Sequence, residues 1–254
     1  MRYKATVSYD GTDYAGWQKQ PDQITVQGLI EKALFNLTKE HIETTGAGRT
    51  DAGVHAHGQV FHFDCDKEFT DIARAINSQL PEDIHIMECE KVNDDFHARY
   101  DARWKYYCYK VNTGEYDPID RNHIYQLCRD LDIDIMDQGA QLFVGKHDFT
   151  SFNATRKSEI ENQVRTIYSF DVYVMDDIVY FDIIGDGFLR HMVRMLVGAL
   201  ISLGLGKITL EDLCQQLEKA DKTASSVNIP ACGLYLEKIS YEEWLQLTDL
   251  CYNS

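Results

Sequence analysis

Residues 44–63 read TTGAGRTDAGVHAHGQVFHF, from Thr44 to Phe63. Gly46, Gly48, Gly53 and Gly58 fall within this one stretch. Glycines so closely spaced imply turns, positive φ or close backbone approach. After them Val60, Phe61 and Phe63 read as a strand, and the residues up to Thr45 also read as extended. The reading is therefore of a tight loop joining two strands, with Arg49, Thr50 and Asp51 at its centre. Asp51 in such a loop is presented by backbone and not by a helix face. A carboxylate there can serve as metal ligand, general base or nucleophile, or it can simply cap a turn. Arg49, two residues away, would hold it ionised, which suits a nucleophile at neutral pH.

Working outward, residues 3–9 alternate like a strand, and Asp10–Gln18 is a turn-rich loop. Thr25 is placed to cap a helix carrying Val26, Leu29, Ile30, Ala33, Leu34 and Leu37. A short strand is expected over His41–Thr45, and Val60–Asp64 leads away from the glycine loop. A second helix over Ile72–Leu80 ends at Pro81, and Ile84–Val92 is a strand. The order to this point is β-α-β-β-α-β. Later come an aromatic and basic strand near Tyr106–Val111 and a helix capped by Asp134 and stopped by Gly145. A long loop is expected over Lys146–Gln163, then a hairpin over Val164–Ile184 turning at Met175–Asp177. Gly187 is read as opening an apolar helix with Arg190 and Arg194 on one face. Thr209–Asp212 resembles a capping box, and Gly233–Ile239 is the last strand.

Bulk properties narrow the function classes. With 254 residues, 44% of them apolar, the chain can bury a sizeable core. No apolar run approaches the ~18 residues of a membrane span, and the start MRYKATVSYD has no secretory character. A soluble, cytoplasmic protein is expected. The seven cysteines include no CxxC pair, which fits a reduced protein without disulfides. His55 and His57 form an HxH pair with no third ligand in sight, so no metal is expected. A net charge of −16 argues against a nucleic-acid partner, because phosphates need Lys and Arg. Its distribution argues the other way. Residues 97–110 hold Arg99, Arg103, Lys105 and Lys110 against Asp101 alone, whereas 115–137 hold seven acids against two arginines.

The run GAGRTDAGVHAHGQV, fifteen contiguous residues, resembles the active-site motif of the tRNA pseudouridine synthase A (TruA) family. The resemblance extends over nearly the whole chain, through Tyr9–Gln18, Asp95–Arg99 with Tyr106–Tyr109, Asp148–Phe152, Gly187–Gly198 and Gly233–Leu236. It implies an α+β pseudouridine synthase fold: two similar halves, 1–105 and 106–254, with mainly antiparallel sheets meeting at a central cleft. It implies isomerisation of uridine to pseudouridine at positions ~38–40 of the tRNA anticodon stem-loop, by a homodimer, with no cofactor. By the same resemblance Asp51 is the nucleophile and Tyr107 the substrate tyrosine. Arg49 displaces the target base, Arg194 pairs with Asp51, and Leu234 packs in the active site. The segment Ser225–Cys232 departs from the family's Ala-Pro-rich pattern.

Three rival readings each fit a fragment of the chain. Val7–Thr12 resembles a haloacid-dehalogenase strand end, but Ser8 occupies its nucleophile position. Val54–His57 resembles a zinc deaminase HxE, but His57 replaces the Glu and no PCxxC follows. A non-catalytic RNA-binding or RNA-folding protein on the same scaffold would need neither Asp51 nor Tyr107.

Overall fold

The computed structural model describes residues 1–223 and 227–244, so Ser225, Ser226 and Cys251 lie outside the described residues. The first part follows the expected β-α-β-β-α-β order. Strand β1 (Arg2–Tyr9) buries Tyr3, Ala5, Val7 and Tyr9, the period-two pattern of a half-buried strand. Helix α1 (Val26–Thr38) begins where the Thr25 side chain accepts a hydrogen bond from Gly28 N, satisfying one of the free amides of the first turn. Strand β2 (Thr44–Gly46) is shorter and later than expected, and β3 (His55–Asp64) is longer, taking in both histidines. Helix α2 (Ile72–Asn77) is capped by Asp71, and β4 spans Ile84–Val92 as expected.

The second part departs more. After β5 (Trp104–Asn112) and a short β6 (Tyr125–Gln126), helix α3 (Ile133–Gln141) is capped by Asp132. Asp134 lies inside its first turn, and the helix stops before Gly145. Part of the expected loop is ordered: β7 (Gly145–Asp148) pairs with β8 (Val164–Met175). The hairpin from β8 to β9 (Ile178–Gly185) turns at Asp176, whose φ is 53°. Helix α4 (Met192–Gly204) opens at Met192 and not at Gly187. His191 adopts φ 62°, a left-handed conformation that no helix propagates through. Arg190 therefore lies outside the helix and shares no helical face with Arg194; its backbone N–H donates to Thr155 Oγ1 instead. Helix α5 (Leu210–Lys219) has the expected capping box between Thr209 and Asp212, and β10 spans Leu234–Ser240.

One mixed sheet joins these strands in the order β4-β1-β3-β10-β5-β9-β8-β7, with β2 on β3 and β6 on β5. Strand β10, the last among the described residues, lies in the middle. It runs parallel to β3, with Tyr235 opposite His55, and antiparallel to β5, with Leu236 opposite Tyr107. The division expected after residue 105 falls inside β5. The class is α+β. Every residue of α4 is buried except Arg194, Ser202 and Gly204. Each Leu, Ile, Val or Met so buried contributes about 1.5–3 kcal/mol, so this helix is firmly held and Arg194 with it. The apolar stretch Met192–Leu205 is thus core, and among the described residues no helix is long and apolar enough to cross a membrane.

Candidate active site

The loop between β2 and β3 carries Asp51, and the loop after β1 packs beneath it. Trp17 N donates to Thr50 O at 3.2 Å, Gly53 N to Tyr14 O at 3.3 Å, and Val54 N to Asp51 O at 3.2 Å. The Tyr9 hydroxyl meets Thr50 Oγ1 at 2.8 Å. Gly16 has φ +90°, and a Cβ there would lie 2.5 Å from Thr50 O. Only glycine meets both demands, the dihedral and the space. From the other side Gln59 Nε2 donates to Gly48 O and Lys105 Nζ donates to Ala47 O, at 3.1 and 2.9 Å. Burial, reinforced by Arg99 and Arg165, brings the Lys105 ammonium down to about 8. So the backbone of the glycine loop is fixed on three sides while the Asp51 side chain remains a quarter exposed.

The Asp51 carboxylate meets two side chains, and both approach the same oxygen. Arg194 Nη1 lies 3.4 Å from Oδ2 and His191 Nε2 lies 3.5 Å from it. The Arg194 guanidinium is anchored by its Nε, which donates to Ile229 O at 2.8 Å. A cation in the first turn of a helix is unfavourable toward the dipole and needs a local anion, which Asp51 supplies.

Of the residues singled out from sequence, Asp51 and Arg194 meet directly. Tyr107 is buried on β5 and stands edge-to-face on Phe188 at 5.2 Å. Burial, Tyr9 and the Asp51 charge all push its hydroxyl upward from the ordinary phenol value. Leu234 is buried opposite Tyr109, on the same sheet face as the Leu236–Tyr107 pair, since directly paired residues share a face. Arg49 corrects an expectation. It is exposed, and among the described residues it makes no ion pair or hydrogen bond, so the charge against Asp51 comes from Arg194. His191 was not singled out from sequence, where it stands between Arg190 and Met192 with no pattern of its own to mark it.

The two histidines of the HxH pair diverge. His57 is exposed and faces Glu237 at 2.7 Å, whereas His55 is buried. Asp10, His55 and His123 do bring their ligand atoms within 4.8 Å of one another. However, His55 Nδ1 accepts from Gly11 N at 3.1 Å, and its Nε2 faces the carbonyls of Asn122 and Cys232. A ring nitrogen facing two carbonyls carries a proton, and Nδ1, which takes the Gly11 N–H, also lies 3.1 Å from Asp10 Oδ1, so hydrogen bonds within the protein already engage both nitrogens.

The chain is similar to known proteins over most of its length. A family model described as tRNA pseudouridine synthase matches residues 5–101 and 140–242. The tRNA pseudouridine synthase A of an Exiguobacterium species is 41% identical over 244 residues, covering 95% of this chain and 98% of the relative. Those of a Geobacillus species and of Brevibacillus brevis are each 42% identical, covering 95% and 94% of this chain and 98% and 99% of theirs.

Proposed function

The chain belongs to the tRNA pseudouridine synthase family, and on that footing we propose that it isomerises uridine to pseudouridine in tRNA with Asp51 as the nucleophile. The observation that carries the assignment is the pairing at Asp51. Arg194 Nη1 donates to Oδ2 and His191 Nε2 stands 3.5 Å from the same oxygen, and among the described residues none bonds Oδ1, the oxygen we take to attack. The reaction breaks the N1–C1′ bond of uridine and forms a C5–C1′ bond. C5 loses a proton and N1 gains one, so mass and charge are unchanged. No electron pair leaves the reactants, and a carboxylate that attacks the sugar and is later released suffices for the covalent step.

The target nucleotide has to leave its stack, which costs a few kcal/mol. In this reading Arg49, exposed on the glycine loop, fills the space it vacates, and Tyr107 and Leu234 contact the displaced nucleotide. We take the site as a cleft between two halves, 1–105 and 106–254. In support, Asp51 and Arg49 come from the first and Tyr107, Arg194 and Leu234 from the second. Positions ~38–40 of the anticodon stem-loop as targets, a homodimeric state and a cytoplasmic location complete the proposal.

The test uses an unmodified tRNA transcript and the release of tritium from C5 of its uridines. Wild type is expected to release it and to give pseudouridine of unchanged mass. Asp51→Asn, isosteric and uncharged, is expected to fold and bind tRNA without doing either. Turnover by Asp51→Asn at the wild-type rate would refute the assignment, and binding without isomerisation by the wild type would identify an RNA-binding protein instead.

A further inference from the structure

His191 has three unusual features at once. Its backbone adopts φ 62°, its Nε2 lies 3.5 Å from Asp51 Oδ2, and its Nδ1 lies 3.2 Å from Asn228 Nδ2. Left-handed conformations in non-glycine residues are uncommon, and they concentrate where surrounding structure holds them for a purpose. Here the turn ends the approach to α4 and directs the imidazole toward the carboxylate. The Asn228 amide donates to Nδ1, so the ring proton of the neutral form resides on Nε2, facing Oδ2.

From this geometry we infer that His191 is a positioning residue for the reaction: its Nε2–H, together with Arg194, fixes Asp51 Oδ2 and presents Oδ1 as the attacking atom. The inference rests on the reading of Asp51 as nucleophile. One donor would leave the carboxylate free to rotate and present either oxygen. Arg194 donates to Oδ2 from the first turn of α4, and His191, immediately before that helix, stands 3.5 Å from the same oxygen; donation across this short remaining gap removes that freedom. The neutral form is the useful one. A protonated ring would set a second full positive charge beside the carboxylate and weaken it as a nucleophile. The groups facing the ring are Asp51 from the glycine loop, Arg194 and Arg190 from its own segment, and uncharged Asn228. Burial and the two arginines lower the imidazole from its ordinary value, against the opposing pull of Asp51.

Two substitutions separate this role from a purely conformational one. Asn tolerates the left-handed backbone better than Gln, but its amide reaches only the level of Nδ1. Gln strains the turn, yet its amide reaches the level of Nε2. If Nε2–H donation is what counts, His191→Gln retains more single-turnover activity than His191→Asn. Loss of a hydrogen bond to a charged group should lower the Asn variant ~10-fold to ~100-fold. The Gln variant should also lose the part of the acid-side decline in rate that imidazole protonation causes. Asn equal to or better than Gln, or a pH–rate profile unchanged in the Gln variant, would overturn the inference.

A measurement on Asp51→Asn needs no change at His191. Imidazole shifts followed by NMR should show His191 titrating lower in Asp51→Asn than in wild type, because the opposing negative charge is gone. An unmoved titration would overturn the inference too. Since Asp51→Asn is read here for titration and not turnover, the two claims fail separately. Turnover by Asp51→Asn sinks the nucleophile, and an unmoved His191 sinks the positioning.

Discussion

Arg194→Met removes the guanidinium and keeps most of the apolar stem that packs in α4. At 3.4 Å the gross attraction between Arg194 and Asp51 is about 5 kcal/mol at an effective dielectric constant of about 20. Less than this is lost, because Asp51 is 25% exposed to screening water and His191 still reaches Oδ2. A charged hydrogen bond forfeited in such a place is worth about 2–3 kcal/mol. If the interaction is fully expressed in the transition state, turnover falls ~30-fold to ~150-fold. The Nε–H to Ile229 O bond is lost as well, at about 1 kcal/mol of folding stability. The assay is single-turnover tritium release from C5, beside filter binding of tRNA and a urea melt. Rate should fall far more than affinity. Arg194→Lys should be intermediate, because one ammonium cannot serve both Asp51 and Ile229. A Met variant that folds and turns over at the wild-type rate would refute the claim that Arg194 holds the nucleophile.

Gly16→Ala places a methyl 2.5 Å from Thr50 O on a backbone of φ +90°. It should lower stability by about 1–3 kcal/mol and slow turnover by displacing the glycine loop, so unchanged melting and rate would contradict this packing. Exhaustive chelation should leave turnover intact, and its loss in a folded protein would show that turnover needs a metal ion. Lys105 gives a signed pH effect. Its ammonium titrates at about 8 when folded and at 10.5 when unfolded. Between those values the unfolded chain holds the extra proton, so stability from this site rises with pH across that window and is level below it. In urea melts wild type should gain up to ~2 kcal/mol over Lys105→Met from pH about 7.5 to about 10; no gain would mean the ammonium is not desolvated.

Much of the architecture was legible where a local rule had one answer. Thr25 and Thr209 were legible as caps because a hydroxyl preceded an apolar periodic run, and Asp176 marked its turn between two alternating strands. The glycine loop was legible because four glycines within thirteen residues, Gly46 to Gly58, favour a tight turn over any regular element. Where two answers competed, sequence failed. Asp132 and Asp134 are both able caps, and the helix that packs on β8 and α4 begins at Asp132. Phe188 and Leu189 continue the apolar pattern of α4, so hydrophobicity does not reveal the left-handed break at His191. That break decides which side chains reach Asp51, so His191 stayed hidden and Arg190 was misplaced. The charge opposite Asp51 had two candidates, Arg49 from proximity along the chain and Arg194 from the family resemblance, and the resemblance named the right one. Arg49 is two residues away in sequence, but Arg194, 143 residues distant, makes the contact.

The position of β10 bears on how the protein is made. Between β3 and β5 lies the place that β10 fills, and His57 of β3 meets Glu237 of β10 although the two are 180 residues apart. During synthesis both flanking strands therefore leave the ribosome long before the strand that will join them. Contacts of such separation form slowly, and unpaired edges attract other chains in the interval. The strand that closes the gap also carries Leu234, and the segment just before it supplies Ile229 O to Arg194. A nascent chain interrupted before this point would carry Asp51 and Arg194 but lack the strand that joins β3 to β5 around them. Activity should then switch on late and all at once, making catalytic competence a report on whether translation reached the final strand.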